Sequence, residues 1–294
     1  MNATPKHFIL TISCPDAVGI VAAVAGFLSG HQLFITESEH FGDVITGRFF
    51  MRTVFRAQPD MPNLSELPNL SELQAAFAAV AERFGMDWQI HDSERKPRLL
   101  LLVSKFDHCL NDLLYRYRTG SLAAEIPAVV SNHPDLQRIV EWHGIPYHHL
   151  PVKADSKAQQ EAAILEMVDR LNIDLVVLAR YMQVLSPEMC RALSWRCINI
   201  HHSFLPSFKG AKPYHQAHTR GVKIIGATAH YVTNDLDEGP IIEQGVERVD
   251  HTHTPDDLVA LGRDIESVVL ARALHYHIEH RVLPNGSKTV VFRR

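Results

Sequence analysis

The chain has 294 residues, of which 46% are hydrophobic and 21% are charged, a composition typical of a globular protein. This length exceeds one ordinary core and suits a domain of ~200 residues joined to a smaller one. The net charge of -4 at pH 7 excludes a general electrostatic attraction to nucleic acid or to a membrane surface.

The N-terminus and the cysteines favour a cytoplasmic protein. The first residues carry an apolar run too short for a secretory signal peptide, and no stretch of ~18 apolar residues follows. The cysteines are scattered without a CxxC pair, which favours reduced and buried thiols. They are Cys14, Cys109, Cys190 and Cys197. We therefore predict a cytoplasmic chain with no membrane span.

Residues 1–92 predict a small α+β domain. Strand-like and helix-like patterns follow one another in the order βαββαβ, which is the ferredoxin-like arrangement. They cover His7–Ser13, Asp16–Gly30, Gln32–Glu39, Thr46–Phe55, Ser71–Phe84 and Met86–Ile90. Asp16 is predicted to cap the first helix. The hexapeptide PNLSEL occurs twice, at 62–73, and is interpreted as the lead-in and cap of the second helix.

Residues 93–97 form a charged run that ends in Pro97, and they predict a linker. In residues 98–294 continuous apolar runs, typical of strands buried on both faces, alternate with helical patterns. The strands are predicted at Leu99–Val103, Ala128–Val130 and Ile173–Ala179, and the helices at Asp107–Arg118, Asp135–His143, Ser156–Leu171 and Thr254–His280. This alternation predicts a doubly wound, mostly parallel sheet, whose ligands bind beyond the carboxyl ends of the strands.

The stretch INIHHSFLPSFKG, from Ile198, places polar side chains at such a strand end. Because side chains alternate along a strand, Asn199 and His201 should point to the same face while Ile198 and Ile200 enter the core. An amide N–H can stabilise the oxyanion of a tetrahedral intermediate, and an imidazole exchanges protons near neutral pH. The pair therefore predicts acyl chemistry on a small carbonyl group.

A carboxylate that could orient the imidazole or activate a nucleophile is present in TNDLDEGP, the segment that follows a predicted strand at Ile224–Val232. Its Gly-Pro pair predicts a tight turn that would hold Asp237 in place. We predict that Asn199, His201 and Asp237 form the catalytic group.

Four segments resemble the folate-dependent formyltransferases, the family of glycinamide ribonucleotide transformylase. These segments are YMQVLSP, NIHHSFLPSFKG, GATAHYV and DLDEGPII, all between residues 181 and 242. The resemblance implies the formyltransferase fold and assigns the catalytic roles to Asn199, His201 and Asp237. It also implies a substrate pocket for the pterin, formed by Tyr181, Met182, Gln183, Val184, Leu185, His230, Thr233, Asn234, Asp235 and Leu236.

The stretch CPDAVGIVAAVAGFLSG, at 14–30, is similar to the ACT domain, a small ligand-sensing βαββαβ module. The resemblance implies that a small amino-acid effector could bind at the turn that contains Asp16, Gly19 and Ile20. A general packing role for Gly19 is equally compatible with the pattern. Because ACT-like units often pair through their sheets or helices, a homo-oligomer, either a dimer or a tetramer, is expected.

An ACT-like domain joined to a formyl-handling domain resembles the formyltetrahydrofolate deformylase family. The resemblance implies hydrolysis of 10-formyltetrahydrofolate to tetrahydrofolate and formate, which supplies formate for purine biosynthesis and balances the one-carbon folate pools. It implies no metal and no cofactor besides the folate substrate. We also predict that Lys209, Gly210, Tyr214 and His215 close the mouth of the site, although a plain surface loop is an alternative.

Three other functions remain open from the sequence. A formyltransferase with an amine acceptor would need a phosphate cradle after the first parallel strand, but that segment, VSKFDHCL at 103–110, contains no glycine and carries an acidic residue. A metallohydrolase is suggested by the histidines but lacks an HExxH pattern. Those histidines are His201, His202, His215, His230, His251 and His253. A non-catalytic amino-acid sensor is the third.

Overall fold

The structure is a computed structural model that describes residues 6–57, 69–153, 156–203 and 213–293. The described residues divide into two compact units. The first contains the chain up to Lys96 together with Glu279–Asn285 and 290–293, and the second contains Pro97–Ile278 with Gly286–Thr289. The predicted second domain, residues 98–294, thus differs from the second unit at the C-terminal end of the chain.

The first unit is a four-stranded antiparallel sheet with two helices. Its elements are β1 (His7–Pro15), α1 (Ile20–Gly30), β2 (Leu33–Asp43), β3 (Arg48–Ala57), α2 (Leu70–Phe84) and β4 (Asp87–Asp92). The strand order is β2-β3-β1-β4, and all three pairings are antiparallel. This topology confirms the ferredoxin-like prediction. Apolar faces of the helices and of β1 form the core, for example Leu10, Ile12, Val24, Leu28 and Phe77.

The two helices of this unit begin in different ways. Helix α1 begins at Ile20 after Gly19, whose φ of 97° lies in the left-handed region, and Asp16 does not cap it. The prediction of an Asp16 cap is therefore wrong, because the turn reverses the chain through Gly19 before the helix begins. Helix α2 begins with a capping box, in which Asn69 and Glu72 each accept a hydrogen bond from the other's backbone N–H. These residues belong to the second PNLSEL copy; the first copy lies outside the described residues.

The second unit is built around a seven-stranded sheet. Its strands are β5 (Arg98–Val103), β6 (Glu125–Ser131), β7 (Tyr147–His149), β8 (Leu175–Leu178), β9 (Cys197–His201), β10 (Ile224–Tyr231) and β11 (Ile241–Arg248). The order is β11-β10-β9-β8-β5-β6-β7, with parallel pairing from β9 to β7 and antiparallel pairing of β10 and β11. Successive strands are added on one side of β5 up to β7 and then on its other side from β8 onwards, so the strand order reverses between β5 and β8. This reversal confirms a doubly wound, mostly parallel fold.

Helices connect these strands. They are α3 (His108–Thr119), α4 (Gln137–Trp142), α5 (Lys157–Arg170), α6 (Pro187–Ala192), α7 (Pro213–Thr219) and α8 (Pro255–Ile278). Two short strands, β12 (Val282–Asn285) and β13 (Lys288–Val291), follow α8. The sequence patterns did not predict β7, β11, β12, β13, α6 or α7, most of which are too short to show a period.

The C-terminal segment after α8 belongs mostly to the first unit, and two sets of contacts hold it there. Leu283 and Phe292 pack with Phe50 in a small apolar cluster. Arg281 forms ion pairs with Glu279, Glu37 and Glu39. The contacts with Phe50, Glu37 and Glu39 are long-range, so a local sequence pattern does not predict them.

Two further predictions can be checked directly. All four cysteines are buried free thiols. No helix in the described ranges has the length and hydropathy needed to cross a bilayer.

Candidate active site

Strand β9 carries the first two predicted catalytic residues to the carboxyl-terminal edge of the parallel strands. Its neighbours are β8, which runs parallel, and β10, where Asn199 lies opposite His230 and His201 lies opposite Thr228. Ile198 and Ile200 are buried in the core, as the alternation predicted. Asn199 and His201 both line one cavity at the end of the strand.

The third predicted residue meets His201 in this cavity. The His201 Nδ1 atom lies 3.2 Å from Asp237 Oδ1. Since a carboxylate only accepts, His201 donates from Nδ1, which leaves Nε2 as the nitrogen available for chemistry. His201 Nε2 is buried and has no hydrogen-bond partner among the described residues.

The turn after β10 fixes the Asp237 carboxylate. Asp237 itself adopts a left-handed φ of 58°. The Tyr231 N–H donates to Pro240 O across the turn at 2.9 Å. A Cβ on Gly239 would lie only 1.7 Å from Tyr231 O, so this position requires glycine. The predicted Gly-Pro turn therefore exists, and it is built by close backbone contact.

The charge state of Asp237 follows from two opposing effects. Burial by itself raises the pKa of the carboxyl group. The hydrogen bond from His201 and the charge of its imidazole oppose burial, and the pKa of Asp237 lies below its ordinary value. Asp237 is therefore an anion that stabilises a proton on His201.

Asn199 is oriented by His230. The Asn199 Nδ2 atom lies 3.3 Å from His230 Nε2, and His230 Nδ1 lies 2.9 Å from Tyr231 O. Because a carbonyl oxygen must receive a proton from Nδ1, His230 Nε2 is the acceptor and Asn199 donates to it. Burial lowers the pKa of His230, so the imidazole stays neutral. The second N–H of Asn199 is left for a substrate oxygen.

The cavity brings together every residue that was predicted to bind the substrate. Besides the catalytic three, its lining includes Tyr181, Met182, Gln183, Val184, Leu185, His230, Thr233, Asn234, Asp235 and Leu236. Met182, Val184 and Leu236 are large apolar side chains that remain about half exposed. Such partly exposed apolar walls are suited to a flat heteroaromatic ring.

Sequence reasoning missed the side chains that hold the wall at 181–186. Ser104 Oγ accepts a hydrogen bond from Met182 N at 3.0 Å and donates to Asn132 Oδ1 at 2.7 Å. Gln160 contacts the Tyr181 hydroxyl at 2.6 Å, and Glu161 accepts from Ser186 N at 2.9 Å. Gln160 and Glu161 are polar residues that are buried on α5, and burial is not readable from one sequence.

Strand alternation, continued by one residue, would point His202 to the face opposite His201 and make it a structural residue. Instead, His202 lines the same cavity, and its ring lies 4.9 Å from the His201 ring. The reason is that β9 ends at His201, so the alternation of a strand no longer applies at the next residue.

The predicted lid residues are found in different places. Lys209 and Gly210 lie outside the described residues. Tyr214 is buried, and its hydroxyl donates to Glu266 at 2.8 Å, which makes it part of the core. His215 is exposed on α7 and does not line the cavity.

The predicted effector turn lies in the first unit. Asp16 is exposed, and its backbone N–H donates to Gly47 O at 2.9 Å. Ile20 is buried, and Gly19 has its positive φ. The Asp16 carboxylate also lies close to Gly42, where an added Cβ would come within 2.9 Å of Asp16 Oδ2.

The histidines of the metallohydrolase alternative do not form one cluster. His253 contacts Asp250 at the surface, and His215 is exposed. In the described ranges, the only group with the spacing of a metal site is His108, Cys109 and Glu266. None of these three residues was among the histidines that suggested a metal.

Comparison with known proteins agrees with this geometry. Residues 97–274 match the family model described as formyl transferase. A formyltetrahydrofolate deformylase from Corynebacterium sp. (strain P-1) is 53% identical over 293 residues, covering 100% of both chains. The chain belongs to the formyltetrahydrofolate deformylase family.

Solved structures show which part of the chain is similar to the deformylases and which part is also similar to the transformylases. A formyltetrahydrofolate deformylase from Burkholderia mallei has a TM-score of 0.91 and 55% identity, and covers 98% of this chain and 100% of its own. A glycinamide ribonucleotide transformylase from Symbiobacterium toebii has a TM-score of 0.63 and 31% identity, and covers 67% of this chain and 94% of its own. Family membership therefore extends over both units, whereas the transformylase matches about two thirds of the chain.

Proposed function

We propose that the chain hydrolyses 10-formyltetrahydrofolate to tetrahydrofolate and formate. One observation carries the proposal: His201 is hydrogen-bonded to the Asp237 carboxylate, and its buried Nε2, which has no partner within the described part of the chain, lies in the same cavity as Asn199. A proton-exchanging nitrogen beside an amide donor is what attack on a formyl group requires. The full-length relatives that carry the deformylase name support the same activity.

The proposed reaction uses each atom of the site. A water attacks the formyl carbon while His201 Nε2 accepts its proton, and the Asp237 anion stabilises the imidazolium. Asn199 donates its free N–H to the formyl oxygen as that oxygen becomes negative. The intermediate then breaks its C–N10 bond, N10 takes the proton from Nε2, and formic acid leaves and ionises to formate.

The loop after β5 favours water over an amine acceptor that bears a phosphate. Helix α3 begins beside the Asp107 carboxylate, and its first residue, His108, contacts the buried Glu266 carboxylate at 2.8 Å. A phosphate that approached this helix start would meet the negative charge of Asp107, and the segment has no glycine that would let a phosphate come close to the backbone. The alternative function, formyl transfer to such an amine, therefore lacks its binding site in this segment.

Isotope labelling tests water as the acceptor. The purified chain is given 10-formyltetrahydrofolate in ¹⁸O-enriched water, and the formate is analysed by mass spectrometry. Hydrolysis predicts one ¹⁸O atom in each newly formed formate. Formate with no label, or formyl recovered on an added amine, contradicts the proposal.

We propose in addition that the turn of Asp16, Gly19 and Ile20 binds a small amino-acid effector. Titration of glycine, methionine and similar amino acids into the formate assay tests this; a flat response to all of them contradicts it. The homo-oligomer, the cytoplasmic location and the supply of formate for purine biosynthesis stay predictions. Sedimentation analysis of the purified chain tests the first.

A further inference from the structure

A charged network is buried beside the catalytic imidazole and has no role in the reaction described above. Glu266, on α8, is 1% exposed, and its Oε2 lies 3.2 Å from Arg180 Nε. Arg180 Nη1 lies 2.7 Å from His202 Nδ1. The chain of contacts therefore runs from α8 to the residue next to His201. Burying charged groups costs desolvation free energy, so a network of this kind needs a structural or functional explanation.

Glu266 is the fixed end of this network. Its Oε1 accepts from the Tyr214 hydroxyl at 2.8 Å, and its Oε2 accepts from His108 Nε2 at 2.8 Å. Tyr214 lies against Gly262, one helical turn earlier, where an added Cβ would come within 2.1 Å of its ring. Burial raises the pKa of Glu266, but the hydrogen bond from His108 and the charge of Arg180 outweigh it and keep the carboxylate ionised.

The same contacts argue against a metal at this position. His108, Cys109 and Glu266 have the right spacing. However, both Glu266 oxygens already accept hydrogen bonds from protein groups, and the adjacent guanidinium would repel a cation. Burial also raises the pKa of the Cys109 thiol far above neutrality, which disfavours a thiolate ligand.

Arg180 is held in a strained backbone conformation. Its φ of 64° lies in the left-handed region, which non-glycine residues rarely adopt. Its guanidinium also lies over the Phe106 ring, 5.1 Å from the centroid. A strained residue whose side chain is fixed by several partners is typical of a functional position.

The contact with Arg180 determines the protonation of His202. A guanidinium is always protonated and can only donate, so His202 Nδ1 must present a lone pair. His202 is therefore neutral, with its proton on Nε2. Burial, followed by the charge of Arg180, lowers the pKa of His202 to about 4. The other charged or titratable groups that face His202 are His201, Glu266, Asp237 and, through its ring, Tyr214.

We propose that Arg180, held by Glu266, is a positioning residue that keeps His202 neutral, so that only His201 of the stacked pair becomes a positively charged imidazolium. The two rings are 4.9 Å apart and inclined by 26°. A second cation at that distance would disfavour the His201 imidazolium, which must form and then protonate N10. The inference rests on the proposed hydrolysis, since it assigns a task within that reaction.

The first test follows the protonation of His202 in the unaltered chain and uses a variant only to assign its signals. The imidazole ¹⁵N signals of His202 are assigned in the intact chain by their absence in His202→Asn, and are followed from pH 8 to pH 5. The proposal predicts a neutral ring with the proton on Nε2 throughout this range. A protonation midpoint between pH 6 and pH 7 overturns it, whatever the activity of the chain.

The second test uses the pH profile of kcat for formate release. In Arg180→Met combined with Glu266→Gln, which removes both buried charges together, the acid limb should move toward neutral pH by about one unit. Without the guanidinium, His202 is protonated at a higher pH even though it stays desolvated, and the resulting cation opposes formation of the His201 imidazolium. Adding His202→Asn should return the limb to its original position, and Arg180→Lys, which keeps a cationic donor, should leave it there. An unmoved limb in the first variant, or no return in the second, overturns the proposal.

The outcomes separate the two proposals. If the unaltered chain releases no formate, the proposed hydrolysis fails, and the ¹⁵N measurement still decides the state of His202. If the unaltered chain is active and the limbs coincide in all variants, the hydrolysis stands and the positioning role is wrong.

Discussion

Asp237 acts on the reaction through His201, so replacing it should lower the rate of catalysis without weakening folate binding. Asp237→Asn should lower the rate of formate release by at least about 10²-fold, because the neutral amide no longer stabilises a proton on His201. Folate affinity, measured by calorimetry with tetrahydrofolate, should change little, because the walls at 181–185 and 233–236 are untouched. Glu238→Gln, the neighbouring exposed carboxylate, is the matched control and should keep normal turnover. Near-normal turnover in Asp237→Asn would remove it from the mechanism.

Replacing Ser104 should have the opposite effect, which is to weaken substrate binding without lowering the rate of catalysis. Ser104→Ala removes the acceptor of the Met182 N–H and should loosen the cavity wall, raising KM by roughly fivefold or more. The value of kcat should stay within about twofold, since neither His201 nor Asp237 contacts Ser104. Steady-state kinetics of formate release measures both. A loss confined to kcat would show that the wall does not depend on this hydrogen bond.

At the scale of single residues, the sequence located three side chains that the structure brings into one cavity. Asn199 and His201 were identifiable from their alternate positions at the end of a strand, Asp237 was identifiable from the turn after the next strand, and the resemblance to the formyltransferases assigned their roles. The supports of the site, such as Ser104 and Glu266, were not identifiable. Their roles arise from burial and from contacts between elements far apart in the chain, which one sequence does not show.

The turn after β10 is the element on which the position of Asp237 depends. Gly239→Ala would place a Cβ 1.7 Å from Tyr231 O, so the turn must open. We expect a loss of about 2–4 kcal/mol in the free energy of unfolding, together with a large loss of turnover. Gly26→Ala is the control, because Gly26 is an exposed residue within α1 with open space around it. That change should stabilise the chain by about 0.5–1 kcal/mol.

Denaturant titration followed by circular dichroism measures both glycine variants. Equal and small effects of the two substitutions would mean that the turn tolerates a side chain, and that Gly239 is not needed to place Asp237.

At the scale of elements, long periodic segments were predictable and short ones were not. Helix α2 and strand β5 were located to within a residue or two, because their apolar positions repeat over a sufficient length. Strand β7 has three residues and helix α6 has six, which is too short for a period. The start of α1 was misplaced because Asp16 has the type of a cap residue but lies in the turn before Gly19.

Partly buried neutral histidines give the whole molecule a predictable acid sensitivity. Desolvation holds the pKa of His91, His202 and His277 at about 4 in the folded chain, and the charge of Arg180 adds to it at His202. In the unfolded chain they take up protons below about pH 6.5. The free energy of unfolding should therefore fall as the pH decreases from about 6.5 to 4, by up to about 3 kcal/mol for each histidine.

His277 provides the check on this prediction. It is partly buried, and its Nδ1 lies 2.7 Å from the Tyr231 hydroxyl. In His277→Gln the difference between the free energies of unfolding at pH 7 and pH 5 should be smaller than in the unaltered chain, even though the variant is less stable overall. An unchanged difference would mean that His277 does not contribute to the acid sensitivity.

The division of the whole chain was predictable only in part. The change from an alternating to a continuous apolar pattern indicated two architectures, and residues 93–97 lie outside regular structure as a linker would. The return of the C-terminal segment to the first unit was not predictable, because it rests on Phe292 and Arg281 reaching partners more than 200 residues away in sequence.

The measurement that tests the central claim most directly is a product analysis with 10-formyltetrahydrofolate as the sole substrate, in the absence of any amine. The account predicts formate and tetrahydrofolate in equal amounts over many turnovers, and predicts that both disappear together in Asp237→Asn. Formate that forms only after an amine acceptor is added, or not at all, would contradict it.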